Sequence, residues 1–370
     1  MSKKRSDGYY EIKVGGKSYY GKTQAAARAK AAEAQRKAEE GLLFEEVANA
    51  YEAYITGPES QIRRGTQNAY IKNLKHLHAE FDGRAMNTID AQAVHIWMER
   101  LKSQGYSLHS ITNARSVLSC VFTYWCSHLH GTGNPVDLAK LPVGLERGQR
   151  LPPSDADTKV INAHPEGCGW WAVLFKCTGI RIGEANALRW RDFRWDEGLI
   201  LIDDARPWDG NQPYEEDTKS KAGHRAVPIL DELRRVLYPI SRQHSADDFV
   251  LSGTDKPLTQ SQYSSRWTTY CRTLGLATSK KRVATIPATT LRPARTVQRT
   301  VWQPNVTAHQ FRHLYATALF EAGVPEQVAQ VLLGHADIIT TKRVYQHVRQ
   351  SMIQSSTARL NLYFNNQEIS

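Results

Sequence analysis

Thr178-Gly179-Ile180-Arg181-Ile182-Gly183-Glu184-Ala185-Asn186-Ala187-Leu188-Arg189-Trp190 is the stretch from which the rest of the chain can be read. Ahead of it, Trp170 to Cys177 is apolar enough for a buried helix, and Thr178-Gly179 reads as a tight turn that ends it. A second helix is predicted from Ile182 to Trp190. Arg181 then stands at a helix start, where its guanidinium can be aimed at a phosphate that also meets backbone N–H groups. Glu184 follows one turn on, where structural ion pairing is one reading. Leu199 to Ile202 reads as a strand. Tyr214 to Lys221, Ala222-Gly223 and His224 to Ile229 read as a hairpin with Lys221 at its tip, alongside Lys219 and Arg225.

Further along, His309 and Arg312 stand three apart on a predicted helix and so share a face. Phe311, Leu314, Ala318 and Leu319 are the expected anchor on its other side. His309 and His313 are also spaced i, i+4, as zinc ligands on a helix are. Gln310 occupies the place of the glutamate such a site needs, and Arg312 would repel a cation. Pro325 opens another helix and Gly334 closes it, which puts His335 just past a helix C-terminus, where partial negative charge favours an imidazolium. Tyr345 follows ten residues later. With sixteen tyrosines in the chain, identity alone does not single it out, and Tyr315 and Tyr363 are its nearest rivals.

Two arginines, a lysine and two histidines around a tyrosine suit attack on a phosphodiester. Guanidinium stays ionised and offers a fork matched to phosphate oxygens. A tyrosine hydroxyl can form a covalent phosphoryl link, and lysine or histidine can protonate the departing oxygen. This chemistry implies neither a metal nor another cofactor.

Composition agrees with such a substrate. At 370 residues with a formal net charge of +11, the chain can hold two or three domains and favours a polyanionic partner, nucleic acid above all. No apolar run reaches membrane-span length, and the basic start Met1 to Gly8 leads into Tyr-Tyr-Glu rather than a secretory h-region. Cys120, Cys126, Cys168, Cys177 and Cys271 are odd in number and scattered, which suits free thiols in a reducing cytosol. Cys177 reads as a small core residue rather than a nucleophile.

The N-terminal half is organised differently. Tyr10, Ile12 and Val14 alternate with polar positions, Gly15-Gly16 supplies a turn, and Lys17 to Tyr20 return as a second strand. An alanine-rich helix is expected from Gln24 to about Glu40, stopped by Gly41. From Leu43 to about Gly131 the pattern is helical. Phe44, Val47, Ala48, Tyr51 and Ile55 form an apolar stripe, followed by helices from Thr66 to Phe81, from an Asp90 cap to Gly105, and from His109 to His130. Gln61 to Gly65 is either a phosphate contact or a solvated loop. Thr132 to Pro153, rich in Gly and Pro, reads as a linker. Residues 261 to 274 read as a helix. Thr278 to Gln303 is a basic insertion, a DNA-contact hairpin or a mobile loop.

The motifs T-G-I-R-I-G-E-A-N-A-L-R-W-R-D, H-Q-F-R-H-L-Y-A-T-A-L-F-E-A-G-V and L-L-G-H-A-D-I-I-T-T-K-R-V-Y-Q-H-V, in that order, resemble the tyrosine recombinase (phage integrase) family, specifically integrases that carry an arm-binding domain. The likeness runs from near residue 150 to 350 and more weakly back to the N-terminus. It implies a multidomain, mainly α protein with small β-sheets. The expected parts are an arm-type DNA-binding domain at 1–42, a helical, SAM-like core-binding domain at 43–131, a linker at 132–153, an α+β catalytic domain at 154–350 and a tail at 351–370. It implies the catalytic set Arg181, Lys221, His309, Arg312, His335 and Tyr345, with Glu184 in support. Lys221 is chosen because S-K-A-G-H-R resembles the family's S-K-T-G turn, Lys219 being the fallback; His335 would hydrogen-bond a non-bridging oxygen.

The resemblance further implies a cytoplasmic, nucleoid-associated enzyme of a bacterial cell, encoded by a phage or mobile element. Its partner would be double-stranded DNA at core and arm-type attachment sites. It would work as a homo-tetramer on paired sites, helped by accessory DNA-bending or excision factors, without metal or ATP. A type IB topoisomerase-like enzyme and a non-catalytic DNA-binding protein are the rival readings. In the tail, Leu360, Leu362 and Phe364 alternate with Asn361 and Tyr363, a short strand pattern expected to dock on a neighbouring protomer.

Overall fold

The computed structural model describes residues 3–4, 8–14, 17–146, 151–217, 224–286, 295–335, 337–339 and 341–342. The chain divides into two compact units, Met1–Gln149 and Arg150–Ser370. Among the described residues no helix is long and apolar enough to cross a membrane.

The first unit begins with a three-stranded antiparallel sheet of β1 (Lys3–Lys4), β2 (Tyr10–Val14) and β3 (Lys17–Gly21). Val14 pairs with Lys17; Gly15 and Gly16, expected to supply the turn, lie outside the described residues. Helix α1 (Gln24–Glu40) packs on this sheet through Ala27 and Ala31. Small side chains let a helix approach a sheet of only three short strands, which is how so small a module closes.

Helices α2 (Phe44–Thr56), α3 (Arg64–Phe81), α4 (Ala91–Ser103) and α5 (Leu108–His128) form a bundle. The stripe Phe44, Val47, Ala48, Tyr51 and Ile55 is the buried face of α2. Asp90 caps α4 by accepting the Ala93 N–H at 2.7 Å, and Ser107 caps α5 through Ser110. At the centre, Phe81 lies against Phe44 and Trp97, each at 5.4 Å between ring centroids. Each fully buried aromatic of this kind stabilises by roughly 1.5–3 kcal/mol. The stretch read as a linker is tied to this bundle in its first half. Val136 and Ala139 are buried in the bundle's core cluster, and Arg115 donates to the Val136 carbonyl at 2.6 Å. Local Gly and Pro content does not report the two apolar side chains, Val136 and Ala139, that dock this stretch on the bundle.

The second unit contains α6 (Asp155–Ala163), α7 (Gly169–Thr178), α8 (Ile182–Ala187), strands β4 (Phe193–Arg194), β5 (Leu199–Ile202), β6 (Asp204–Ala205), β7 (Trp208–Asp209), β8 (Gln212–Pro213), β9 (Glu216–Asp217) and β10 (Arg225–Pro228), α9 (Asp231–Ser241), α10 (Gln260–Thr273), β11 (Ala277–Ile286), β12 (Arg295–Pro304), α11 (Ala308–Glu321) and α12 (Glu326–Leu333). Helix α7 packs along α11, and the sheet β10-β5-β4 covers the same core. Trp171 of α7 stacks on Tyr263 of α10 at 5.4 Å. Trp267 of α10 donates its indole N–H to the Val306 carbonyl at 2.8 Å, just ahead of α11. These contacts fix where α11 begins.

Two expectations are corrected. Helix α8 stops at Ala187, not Trp190, because Trp190 N–H turns to the Asp248 carbonyl and Leu188 O receives Val250 N–H. The strands on either side of Lys221 do not pair with each other: β10 pairs with β5, and β9 pairs with β6. Both therefore lie opposite the same upstream stretch. Residues 218–223, which join them, lie outside the described residues. The segment from Thr278 to Gln303 includes most of two ten-residue antiparallel strands, β11 and β12, in continuous register from Ala277↔Pro304 to Ile286↔Arg295.

Candidate active site

Two left-handed glycines build the site. Gly179 ends α7 at φ 61°, and a Cβ there would run into the Tyr315 ring of α11. Only glycine allows both the backbone turn and this approach of α7 to α11. Gly334 ends α12 at φ 63°; its N–H meets the Val331 carbonyl while His335 N–H meets Gln330 O at 3.1 Å. This Schellman turn delivers His335 as the residue after the helix.

The last carbonyls of α12 meet three guanidiniums. Arg225 Nε donates to Leu332 O at 2.9 Å, Arg312 Nη2 donates to Leu333 O, and Arg181 Nη2 donates to Gly334 O at 2.9 Å. Arg312 Nη1 also donates to Gly179 O at 2.7 Å, so the same side chain ties both turns together. Three cations at one helix end complement its negative pole, and their mutual repulsion is offset by one carboxylate. Glu184 accepts from Arg181 Nη1 and the Arg181 backbone N–H, each at 2.8 Å, and from Arg225 Nη2 at 2.8 Å. The Arg181 N–H therefore points back to Glu184 instead of outward to a phosphate.

Burial alone would raise the Glu184 carboxyl, but the Arg225 and Arg181 guanidiniums outweigh it and hold it down at about 2. Arg312 is buried, and desolvation together with Arg181 pulls its guanidinium down to about 9, still charged at neutral pH. Arg181 is the open member, with 45% of its side chain exposed.

His335 overturns the expectation of an imidazolium. Burial, then Arg312 and Arg181, push it down to about 4, so it is neutral at physiological pH. The helix pole invoked from the sequence is already covered by the arginines. His335 Nδ1 lies 2.8 Å from the hydroxyl of buried Thr341, a partner that fixes the ring.

His309 is exposed on the first turn of α11, its ring edge-on to His313 at 4.8 Å between centroids. The buried face of α11 carries Phe311, Arg312, Tyr315, Ala316 and Leu319, while Ala318, expected as an anchor, is exposed. Tyr315 is no candidate nucleophile: it is packed under Gly179, and burial with the neighbouring Cys177 raises its phenol to about 12. Cys177 is a core residue, its thiol likewise pushed up to about 12 by burial. The structure thus brings Arg181, Glu184, Arg312 and His335 together. Lys221, Lys219, Tyr345, Tyr363 and the tail lie outside the described residues.

Sequence reasoning leaves out one member of this assembly and one residue that anchors the helix behind it. From sequence Arg225 reads as a hairpin cation, although its spacing of two from Val227 places both on the buried face of β10. Buried Asn186 bonds Arg206 O, Leu258 O and Leu258 N–H, which locks α8 to two distant loops.

A family model described as the phage integrase family matches residues 172–352. The chain is similar to a XerC-like tyrosine recombinase of Caldanaerobacter subterraneus subsp. tengcongensis, with 25% identity covering 94% of this chain and 92% of that protein. Its fold matches the Tn1549 transposon integrase in complex with circular intermediate DNA (TM-score 0.64, 16% identity, covering 86% of this chain and 100% of that one). It also matches lambda integrase, solved as a tetramer bound to a Holliday junction (TM-score 0.55, 17% identity, covering 93% and 94%).

Proposed function

We propose that this chain, which belongs to the phage integrase family of tyrosine recombinases, is a site-specific DNA recombinase that integrates or excises a mobile element or prophage. The observation that carries the reading is the meeting of Arg181, Arg312 and His335 around the end of α12, with Glu184 holding Arg181 in place. Such a cluster is a preorganised receptor for the charge that builds on non-bridging phosphate oxygens.

In this reading the Tyr345 hydroxyl attacks a backbone phosphate. A P–O bond to tyrosine forms, the bond to the 5′ oxygen breaks, and a 3′-phosphotyrosine and a free 5′-hydroxyl result. Arg181 and Arg312 stabilise the crowded intermediate by charge. Neutral His335 acts as an N–H donor rather than as a third cation. Lys221 supplies the proton to the leaving oxygen and His309 assists proton transfer. Attack by the 5′-hydroxyl of another strand reverses the steps and joins new ends. The covalent link keeps the bond energy, so ATP is not required. The partner is double-stranded DNA, at core and arm-type sites, with residues 1–42, 43–131 and 154–350 as arm-binding, core-binding and catalytic parts. A tetramer on paired sites fits the lambda integrase assembly named above, and a tail docked between protomers fits such an assembly.

The test is a trapped adduct. Wild-type protein on a nicked core-site substrate should become covalently linked in the presence of EDTA, with the linkage mapping to Tyr345. Tyr345→Phe should bind the same DNA and form no adduct. On a substrate with 5′-bridging sulfur, Lys221→Ala should recover most of its cleavage, since a thiolate leaves without a proton, whereas Arg181→Ala should not. An adduct that persists in Tyr345→Phe, or strict dependence on magnesium, would defeat the reading.

A further inference from the structure

The ribbon β11–β12 is unlike the rest of the second unit. From Ala277 to Pro304 the sequence holds Lys280, Lys281, Arg282, Arg292, Arg295 and Arg299, and no aspartate or glutamate. Cross-strand partners share a face and neighbours along a strand alternate. Lys280 (opposite Val301) and the directly opposed pair Arg282↔Arg299 therefore lie on one face, with Lys281 (opposite Thr300) on the other. All four cations are exposed, as is Val283 at 69%.

Placing two arginines directly opposite each other weakens a strand pair, and the ribbon's own sequence contains no carboxylate to offset it. A two-stranded ribbon is also marginal by itself. Here its base is fastened. Leu276 and Val306 are buried, Thr278 donates its hydroxyl hydrogen to Asn305 Oδ1 at 2.8 Å, and the Arg272 guanidinium sits 4.8 Å from the Trp302 ring centroid. The anchored end runs through Asn305 to Thr307 into α11, the helix of His309 and Arg312.

We propose that the Lys280–Arg282–Arg299 face of this ribbon is a contact surface for duplex DNA, separate from the cleavage cluster. A phosphate backbone supplies the counter-charge that the ribbon's own sequence does not contain. Ten residues of strand span about 33 Å, close to one duplex turn of about 34 Å, and a major groove admits a two-stranded ribbon. This surface rests on the reading of the chain as a DNA-acting enzyme and adds an element that grips the same substrate.

The experiment compares full-length wild type with Arg282→Gln/Arg299→Gln for binding to a core-site duplex over a range of salt. Losing two phosphate contacts should lower the slope of log K against log [salt] by about 1.8, at about 0.9 per contact. Thermal melting of the double variant should be no lower than wild type, since a repulsive pair has been removed. Lys281→Gln, on the opposite face, should leave the slope unchanged, whereas Arg282→Gln alone should lower it by about 0.9. Equal effects of those two single variants would reduce the ribbon to a diffuse field and overturn the assignment. So would an unchanged slope in the double variant, including the case where only assembly of protomers on DNA is lost, which would mark a protein contact. Formation of the wild-type covalent adduct is scored in parallel, so failure of the ribbon surface and failure of the enzymatic reading give different results.

Discussion

Arg225 Nη2 lies 2.8 Å from Glu184 Oε2, and the two side chains are only 1% and 4% exposed. Arg225 sits on the strand that follows the Lys221 segment, Glu184 on the helix that carries Arg181, and the Nε of Arg225 reaches the α12 carbonyl at Leu332. One buried side chain therefore joins three segments that each bear a member of the proposed catalytic set. Its bonds to Glu184 and to the Leu332 carbonyl give it a positioning role. Arg225→Ala should leave Glu184 as a buried carboxylate with a single cation. Removing one partner of such a pair typically costs about 3–5 kcal/mol, to be read from urea midpoints. Arg225→Lys should recover little, because an ammonium cannot serve Glu184 and Leu332 O with one planar fork. Covalent-adduct yield should fall further than DNA affinity in both variants; recovery of full yield by the lysine variant would show that charge alone suffices.

The state of His335 can be followed by pH. Its folded-state value, about 4, lies below the ordinary histidine value of about 6.5. Between those values the unfolded chain binds a proton that the folded chain does not. The associated stability is then fully present above about pH 6.5 and declines as pH falls towards 4. Carbon-detected NMR of the ring should show a midpoint near 4. His335→Gln should remove this part of the acid sensitivity, so the stability difference between wild type and variant should shrink on acidification across that window. A ring that titrates at or above 6.5 would restore the imidazolium inferred from the helix end.

Much of this fold is legible from local pattern. The bounds of α1, the buried stripe of α2 and the Asp90 cap follow from periodicity and capping chemistry. Arg181, Glu184, Arg312 and His335 could be singled out because each stands at a turn or on a helix face with short-range sequence cues. What local pattern cannot supply is the identity of a distant partner. Nothing near Glu216 says that it pairs with Ala205, and nothing near Gly334 says that three guanidiniums from elsewhere in the chain cover that helix end. The imidazolium expected at His335 takes no account of Arg312 and Arg181, whose distant origin in the chain hides them from local pattern. The buried role of Arg225 did have a local signal, its period-two spacing from Val227, but an arginine beside two lysines reads more readily as a solvated face.

Gly179 offers a test of how tightly the two turns are coupled. Its φ of 61° already disfavours any side chain, and a Cβ would meet the ring of Tyr315, while its carbonyl takes the Arg312 Nη1–H at 2.7 Å. Gly179→Ala should destabilise the protein by roughly 1–3 kcal/mol through backbone strain and more through the collision. The forced shift moves the Gly179 carbonyl, so Arg312 should lose one of its two carbonyl anchors and adduct formation should drop while DNA affinity changes little. Tyr315→Phe keeps the ring and should not relieve the alanine variant. Tyr315→Ala removes it at the cost of a cavity, typically 3–5 kcal/mol for a large aromatic. The double variant Gly179→Ala/Tyr315→Ala should therefore be more stable than the sum of its single changes implies, a coupling of the 0.5–3 kcal/mol size seen between touching residues. Strict additivity in that cycle would mean the glycine is required for its backbone angle alone and that contact with Tyr315 contributes nothing to the placement of Arg312.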